Sequence, residues 1–431
     1  MTETEEATRT QHAPRARVVA ASSCSAAVPT QPADAGAAAT AAEPGSKRGW
    51  ASVGAVALGA LVVVMTETLP VGLLPEIADG LHVSLGLAGL MVLVPGFSAA
   101  MSAPLFYLRS GSFNRRSVIL AAGLAVLVSN VLVAVAPSFA VVLIARVLFG
   151  VTLGAFWTVV APVGPKLVGP ASGTRAITII AAGISGGTAV GLPAGQFLDN
   201  LVGWRLTFTT AAAATLLVVV AQTVLLPGIP SDGRTHLRDL AGVVRRRAAR
   251  LGMAAGATAF IGQFAAWTYI TPFLMDHTHL SSGVISLLYV IYGFGGIVGS
   301  IVAGSLFKRG VIGTFSGAAT VVAALLIGLA FAGTLSWLAG LLLVLWGLFW
   351  GVVNPGALVW ILDAAPETQE AASAVNVTNL QIALAAGSGL GAILVSSTSL
   401  QTVVLTAGII VLASAVLAAV AGRFVTLARR E

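Results

Sequence analysis

Glu67 is an acid set inside a run of apolar residues long enough to cross a bilayer. Val53, Val56, Leu58, Leu61, Val62, Val63 and Val64 precede it, and Pro70, Pro75, Glu76 and Asp79 follow. About 20 residues at about 1.5 Å rise cross a hydrocarbon core. The helix therefore begins near Trp50, Glu67 falls in its outer part, and Glu76 and Asp79 mark the exit. An ionisable group at that depth is expensive in lipid and normally faces a cavity or a partner. A carboxyl partly withdrawn from water is suited to take up and release a proton. Arg146 enters a later apolar run from the same side and reaches a comparable depth. Either the two form a permanent structural pair, or they pair and part as a substrate arrives, which would make proton and substrate binding exclusive.

Aromatic residues are the second group with chemical potential. Trp157, Trp267, Tyr269, Trp346 and Trp350 lie in apolar runs, and Asn354 stands one turn beyond Trp350. Trp346, Trp350 and Asn354 are four apart and share a helix face. Flat aromatic walls suit lipophilic or cationic molecules, although membrane tryptophans also gather at the lipid interface. Asp276, His277 and His279 crowd one turn without a further ligand set, and His236 is isolated. No metal site is expected. HExxH and the phosphate-binding glycine–lysine loop are absent from the sequence, which argues against metalloprotease and ATP-driven chemistry. The one cysteine, Cys24, excludes an internal disulfide framework.

These residues are carried by an unusually apolar chain. Of 431 residues, 57% are hydrophobic and 9% charged, against about 25% charged in a soluble protein. The expectation is an all-α membrane protein with twelve transmembrane helices in two six-helix bundles. Residues 1–48 are a polar, Ala- and Pro-rich tail expected to be disordered. Residues 49–226 form the first bundle, 227–250 a basic linker, 251–422 the second bundle, and 423–431 a short tail. All basic residues except Arg146 within a span and Arg205 beyond one fall on the linker side. Short cytoplasmic loops collect Lys and Arg, so both termini are expected in the cytoplasm. The net charge of +7 is thus a topology signal and not a sign of nucleic-acid binding. The acidic loop Asp363 to Glu370 stands outside the pattern. A weak repeat relates Glu67, Pro70, Asp79 and Ser84 to Tyr269, Pro272, Asp276 and Ser281.

With this plan, the segments Glu67–Ala78 (ETLPVGLLPEIA), Arg146–Gly154, Gly183–Gly195 followed by Gly203-Trp204-Arg205, and Asn379 resemble the major facilitator superfamily. The likeness is to its twelve-span drug:proton antiporters, the arabinose-efflux and chloramphenicol-efflux permeases. It implies a monomeric, cofactor-free, non-enzymatic exporter that exchanges small lipophilic drugs or metabolites for protons in the cell membrane. A sugar or amino-acid-like exporter of the same fold is the alternative; a sensor or membrane-embedded enzyme is the alternative of another class. The resemblance gives Glu67 and Arg146 the proton-coupling role. Trp157, Trp267, Tyr269, Trp346, Trp350, Asn354 and Asn379 become cavity residues, and Gly183, Gly187, Gly191, Pro193 and Gly195 an antiporter glycine motif, which close helix packing would also explain. Arg109, Arg115 and Arg116 match the cytoplasmic gate loop, in which Gly111 replaces the family's usual aspartate.

Overall fold

The computed structural model describes residues 46–109, 113–169, 172–229, 237–332 and 335–427. The tail with Cys24, the loop glycine Gly111 and His236 lie outside them. The described residues are almost entirely helical. In chain order come α1 (Lys47–Gly72), α2 (Leu74–Gly80), α3 (Leu85–Ala88), α4 (Leu90–Arg109), α5 (Arg115–Ala134), α6 (Phe139–Val168) and α7 (Gly173–Leu225). A short α8 (Leu237–Arg245) lies in the basic connection. Then follow α9 (Arg247–Thr268), α10 (Ile270–Pro272), α11 (Ser282–Phe307), α12 (Val311–Phe331), α13 (Ser336–Ala364), α14 (Gln369–Ser397) and α15 (Leu400–Leu427). Polar residues cap helices at the ends that reach water: Ser46 Oγ accepts from Gly49 N at 3.1 Å and Asn114 Oδ1 from Arg116 N at 3.0 Å.

Ten stretches of helix are long and apolar enough to cross a membrane. One of them is two crossings. The 53-residue α7 breaks at Gly203, whose φ of 80° and ψ of 162° only glycine adopts without strain. Gly183, before the break, lies against the Ala57 backbone of α1, and Gln222, after it, donates to Ala55 O at 3.1 Å. The chain thus doubles back at Gly203, at the head of the Gly203-Trp204-Arg205 segment. The 22-residue α9 is long enough to cross, but Arg247, Arg250, Gln263 and its glycines dilute its apolar run. The expected twelve rests on the Gly203 break and on α9.

The first half of α7 packs on α1 through its glycines. Methyls added at Gly183, Gly187, Gly191 and Gly195 would meet Ala57, Leu61 with Val64, Met65 with Thr68, and Leu69. Each is one turn from the last, so small residues let the two backbones approach along the whole crossing. Pro193 lies inside the same helix.

The internal repeat is real in the backbone, but its register differs from the expectation. α1 ends at Leu73 (φ −117°, ψ 7°) and α9 at Tyr269 (φ −114°, ψ 15°), each followed by a short further helix. His82 and His279 then carry positive φ of 54° and 53°, and Ser84 and Ser281 stand extended before the next helix. Asp79-x-x-His82-x-Ser84 therefore matches Asp276-x-x-His279-x-Ser281. Tyr269 is the counterpart of Leu73 and not of Glu67, because the shared feature is the helix break. Histidine tolerates the left-handed conformation better than most residues, which gives His279 a structural reason to be there.

The acidic loop also finds its place. Glu367 pairs with Arg246 of the basic connection at 3.1 Å, and Arg246 Nη1 donates to Ala364 O at 3.2 Å.

Gly187→Val should be harmful, since a Cβ there already lies 2.5 Å from Leu61 O and 2.9 Å from Val64 Cβ. Overpacking of this kind costs about 1–3 kcal/mol, so the variant should melt earlier in detergent. Gly54→Ala, with nothing within 4 Å, should not; equal melting temperatures for both would refute the packing account.

Candidate functional site

The last turns of α1 gather the buried polar groups of the first helices. Thr66 is fully buried; its carbonyl accepts from Arg146 Nη1 of α6 at 3.3 Å, and its hydroxyl from Asn130 Nδ2 of α5 at 3.2 Å. The Arg146 guanidinium is 1% exposed and lies 5.4 Å from the ring centres of both Phe149 and Phe208. Those rings take up the charge where no water reaches. Arg146 Nε and Nη2 and Asn130 Oδ1 have no hydrogen-bond partner.

Glu67 follows Thr66 on the same helix and is half-buried. Arg146 is near enough for its charge to act on Glu67, yet the two do not reach the 4.0 Å of an ion pair. The nearest polar side chain from the later helices is Gln381 of α14. Its Nε2 is buried and meets no acceptor in hydrogen-bond geometry, so Gln381 and Glu67 face each other without a closed bond. Gln381 is at this depth because α14 runs close against α4. A methyl on Gly96 of α4 would lie 2.9 Å from Leu384 Cδ2 and 3.2 Å from Gln381 O.

The later helices α9, α11 and α13 build an aromatic cluster. Trp267 stacks on Tyr292 at 4.4 Å, and Trp346 meets both edge-on at 5.6 and 5.7 Å. Gln263 ties the cluster together: its Oε1 accepts from Trp346 Nε1 at 2.7 Å and its Nε2 donates to Tyr292 Oη at 3.1 Å. Along the expected face of α13, Trp346 is buried, Trp350 half-buried against Phe260 at 5.1 Å, and Asn354 exposed. Trp157 is half-buried beside Phe156, and Asn379 Nδ2 donates to Met253 O at 3.0 Å.

Tyr269 lies elsewhere, in a seam between earlier and later helices at the Glu76 end. Its hydroxyl points at Gly86 O at 3.5 Å, Ser388 Oγ donates to Gly89 O at 3.2 Å, and Thr271 Oγ1 donates to Val71 O at 3.0 Å. Gly86, Gly89 and Gly391 leave room for this contact, since a Cβ on Gly391 would lie 2.7 Å from the Tyr269 ring. At the opposite end, Arg109 closes α4 and is exposed. The Arg115 backbone N donates to Ile229 O at 3.0 Å, and Arg116 Nη2 to Thr223 O at 2.8 Å. These bonds fasten the start of α5 to the end of α7.

Residues 56–387 match the sequence profile of the Major Facilitator Superfamily. The chain belongs to this family. It is similar to a purine ribonucleoside efflux pump of Escherichia coli, with 30% identity over 369 residues, 85% of this chain and 93% of the relative. It is likewise similar to a transcription regulatory protein of Pseudomonas aeruginosa, with 30% identity over 362 residues, 83% of this chain and 90% of the relative. Among solved structures it resembles the human organic anion transporter MFSD10, with a TM-score of 0.65, 17% identity, and 86% of this chain and 99% of that one covered. A D-xylose-proton symporter has the same TM-score at 16% identity, with 85% and 95% covered. The Major Facilitator fold of a multi-pass membrane transporter is thereby established.

Within that fold, Glu67 and Arg146 are neighbours, and Trp267 and Trp346 share one cluster. Thr66, Asn130, Gln263, Tyr292 and Gln381 complete the arrangement and were not anticipated. Their signal was available: an amide or hydroxyl inside an apolar span seeks an internal partner, as a charge does. Gln263→Leu would leave the Trp346 Nε1 and Tyr292 Oη groups unpaired, at about 1–3 kcal/mol each. Gln381→Leu removes an amide nitrogen that has no partner. In detergent, thermal melting should fall for Gln263→Leu and hold for Gln381→Leu; the reverse order would contradict this assignment.

Proposed function

We propose that this protein is a secondary-active exporter that exchanges small organic molecules for protons by alternating access. The observation that carries the reading is Glu67, held beside the Arg146 charge without an ion pair and facing Gln381 across the molecule. A carboxyl so placed can exchange a proton for a ligand that takes up the unpaired donors of Arg146 and Gln381. The two six-helix bundles of residues 49–226 and 251–422 rock about this site, joined by the basic linker. Both termini are cytoplasmic, as the distribution of Lys and Arg requires. Glu76 then faces the outside. The protein works as a monomer in the cell membrane.

The substrate class is a small, largely flat organic molecule. Lipophilic drugs or metabolites fit the aromatic cluster around Trp267 and Trp346. The activity of the Escherichia coli relative favours a second reading, a purine ribonucleoside, whose polar base edge would suit the unpaired amide and guanidinium groups. The name of the Pseudomonas relative keeps a regulatory role in view, one that requires no turnover.

Purified protein in weakly buffered detergent, challenged in turn with a purine ribonucleoside, an amphenicol, a lipophilic cation and a sugar, should release protons with its substrate. Glu67→Gln should bind the same compound and release none. Binding without proton release in the unmodified protein would remove the antiport reading.

A further inference from the structure

Glu76 is a charged residue type in an uncharged place, and the mechanism above does not use it. It lies in α2, beyond the first crossing and beside the seam that joins the earlier helices to the later ones. Its Oε2 is buried and has no hydrogen-bond partner. The titratable groups that face it are Asp199 of α7, Asp79 of α2 itself and Tyr289 of α11. None of these carries positive charge. Tyr289 belongs to the opposite side of the seam, where its hydroxyl is 2.6 Å from Thr271 Oγ1, and Thr271 in turn holds Val71 O at 3.0 Å. The Glu76 charge therefore acts on a residue of the hydrogen-bonded chain that fastens the seam.

A second polar group lies at the same place. Gln196 of α7 is fully buried, and neither its Oε1 nor its Nε2 has a partner. Its amide lies against Gly72, the last residue of α1, where an added Cβ would be 3.5 Å from Oε1. Gly72 is one turn before Glu76, and Asp199 is one turn beyond Gln196. Buried polar groups normally find partners, so the unpaired Gln196 amide and Glu76 Oε2 mark this end of the helices as polar without being closed by hydrogen bonds.

We propose that Glu76 is a second proton-binding site, occupied while the seam at its end is closed and emptied to water when the seam opens. The proposal rests on the alternating-access reading above. In the closed form, burial, reinforced by Asp199 and Asp79, pushes the Glu76 carboxyl up to about 7. Opening would hydrate it and return it to the ordinary carboxylate range, with the proton passing to water. The sign follows from linkage: the state that holds the proton more tightly is favoured at low pH. The closed seam is thus fully favoured below the ordinary value of 4.5 and loses that advantage as pH rises through about 7.

The test needs neither substrate nor transport, so it can fail independently of the antiport reading. Leu87 and Ser397 are exposed on opposite sides of the seam, next to the Gly86–Ser396 contact. Spin labels on Leu87→Cys and Ser397→Cys, in a Cys24→Ser and Glu67→Gln background, report the distance between them in lipid vesicles. From pH 5 to pH 8 the ratio of short to long distances should fall on the order of 100-fold, tenfold for each unit of pH between the two carboxyl values. Glu76→Gln should hold the short distance at every pH. Asp199→Asn, which removes a like charge, should move the midpoint to lower pH. A flat profile in the starting protein, or an unchanged profile in Glu76→Gln, would overturn the proposal.

Discussion

The structure depends on burying a guanidinium in a place that water does not reach. A charge inside a membrane is tolerated only when protein groups replace its hydration, and Arg146 obtains this from three sources. One nitrogen holds the Thr66 carbonyl, two rings cover its faces, and the Glu67 charge lies near without closing a pair. This arrangement fixes α1, α5 and α6 relative to one another at one depth, because Asn130 reaches the same Thr66. It also leaves two guanidinium nitrogens unsatisfied. Fully satisfied buried networks rigidify a core, and this one stops short of that.

The later helices solve the same problem differently. Gln263 spends its oxygen on Trp346 and one of its amide hydrogens on Tyr292, so that aromatic cluster is internally complete. The earlier helices keep unpaired polar atoms, whereas the aromatic cluster of the later ones is closed by hydrogen bonds. Side-chain hydrogen bonds to opposing backbone join the two at the Glu76 end, through Thr271, Ser388 and Tyr269.

Much of this was legible in the sequence, for reasons that differ residue by residue. The crossings could be read because lipid forces long apolar runs. Glu67 and Arg146 stood out because charge in such a run is rare. The stacked glycines of α7 were visible as a stripe one turn apart. What the sequence did not display was partnership across long separations. Gln381 lies more than three hundred residues from Glu67, and neither position announces the other. The repeat was misaligned because prolines were matched to prolines, whereas the conserved geometry is a helix break followed by a left-handed histidine. The acidic loop 363–370 looked anomalous only because its partner, Arg246, belongs to a different connection.

The tip at Gly203 has a consequence for how the protein is made. Two crossings of α7 are joined by a single non-helical residue, with no loop to let one enter the bilayer ahead of the other. They make a tight hairpin, at whose tip Arg205 holds the Ala136 carbonyl at 3.1 Å. Since α1 receives both arms of that hairpin, at Ala57 and at Ala55, the first crossing has to wait in the membrane for a partner made well over a hundred residues later. Packing of the earlier helices is thus completed only when residues near Gln222 have been synthesised.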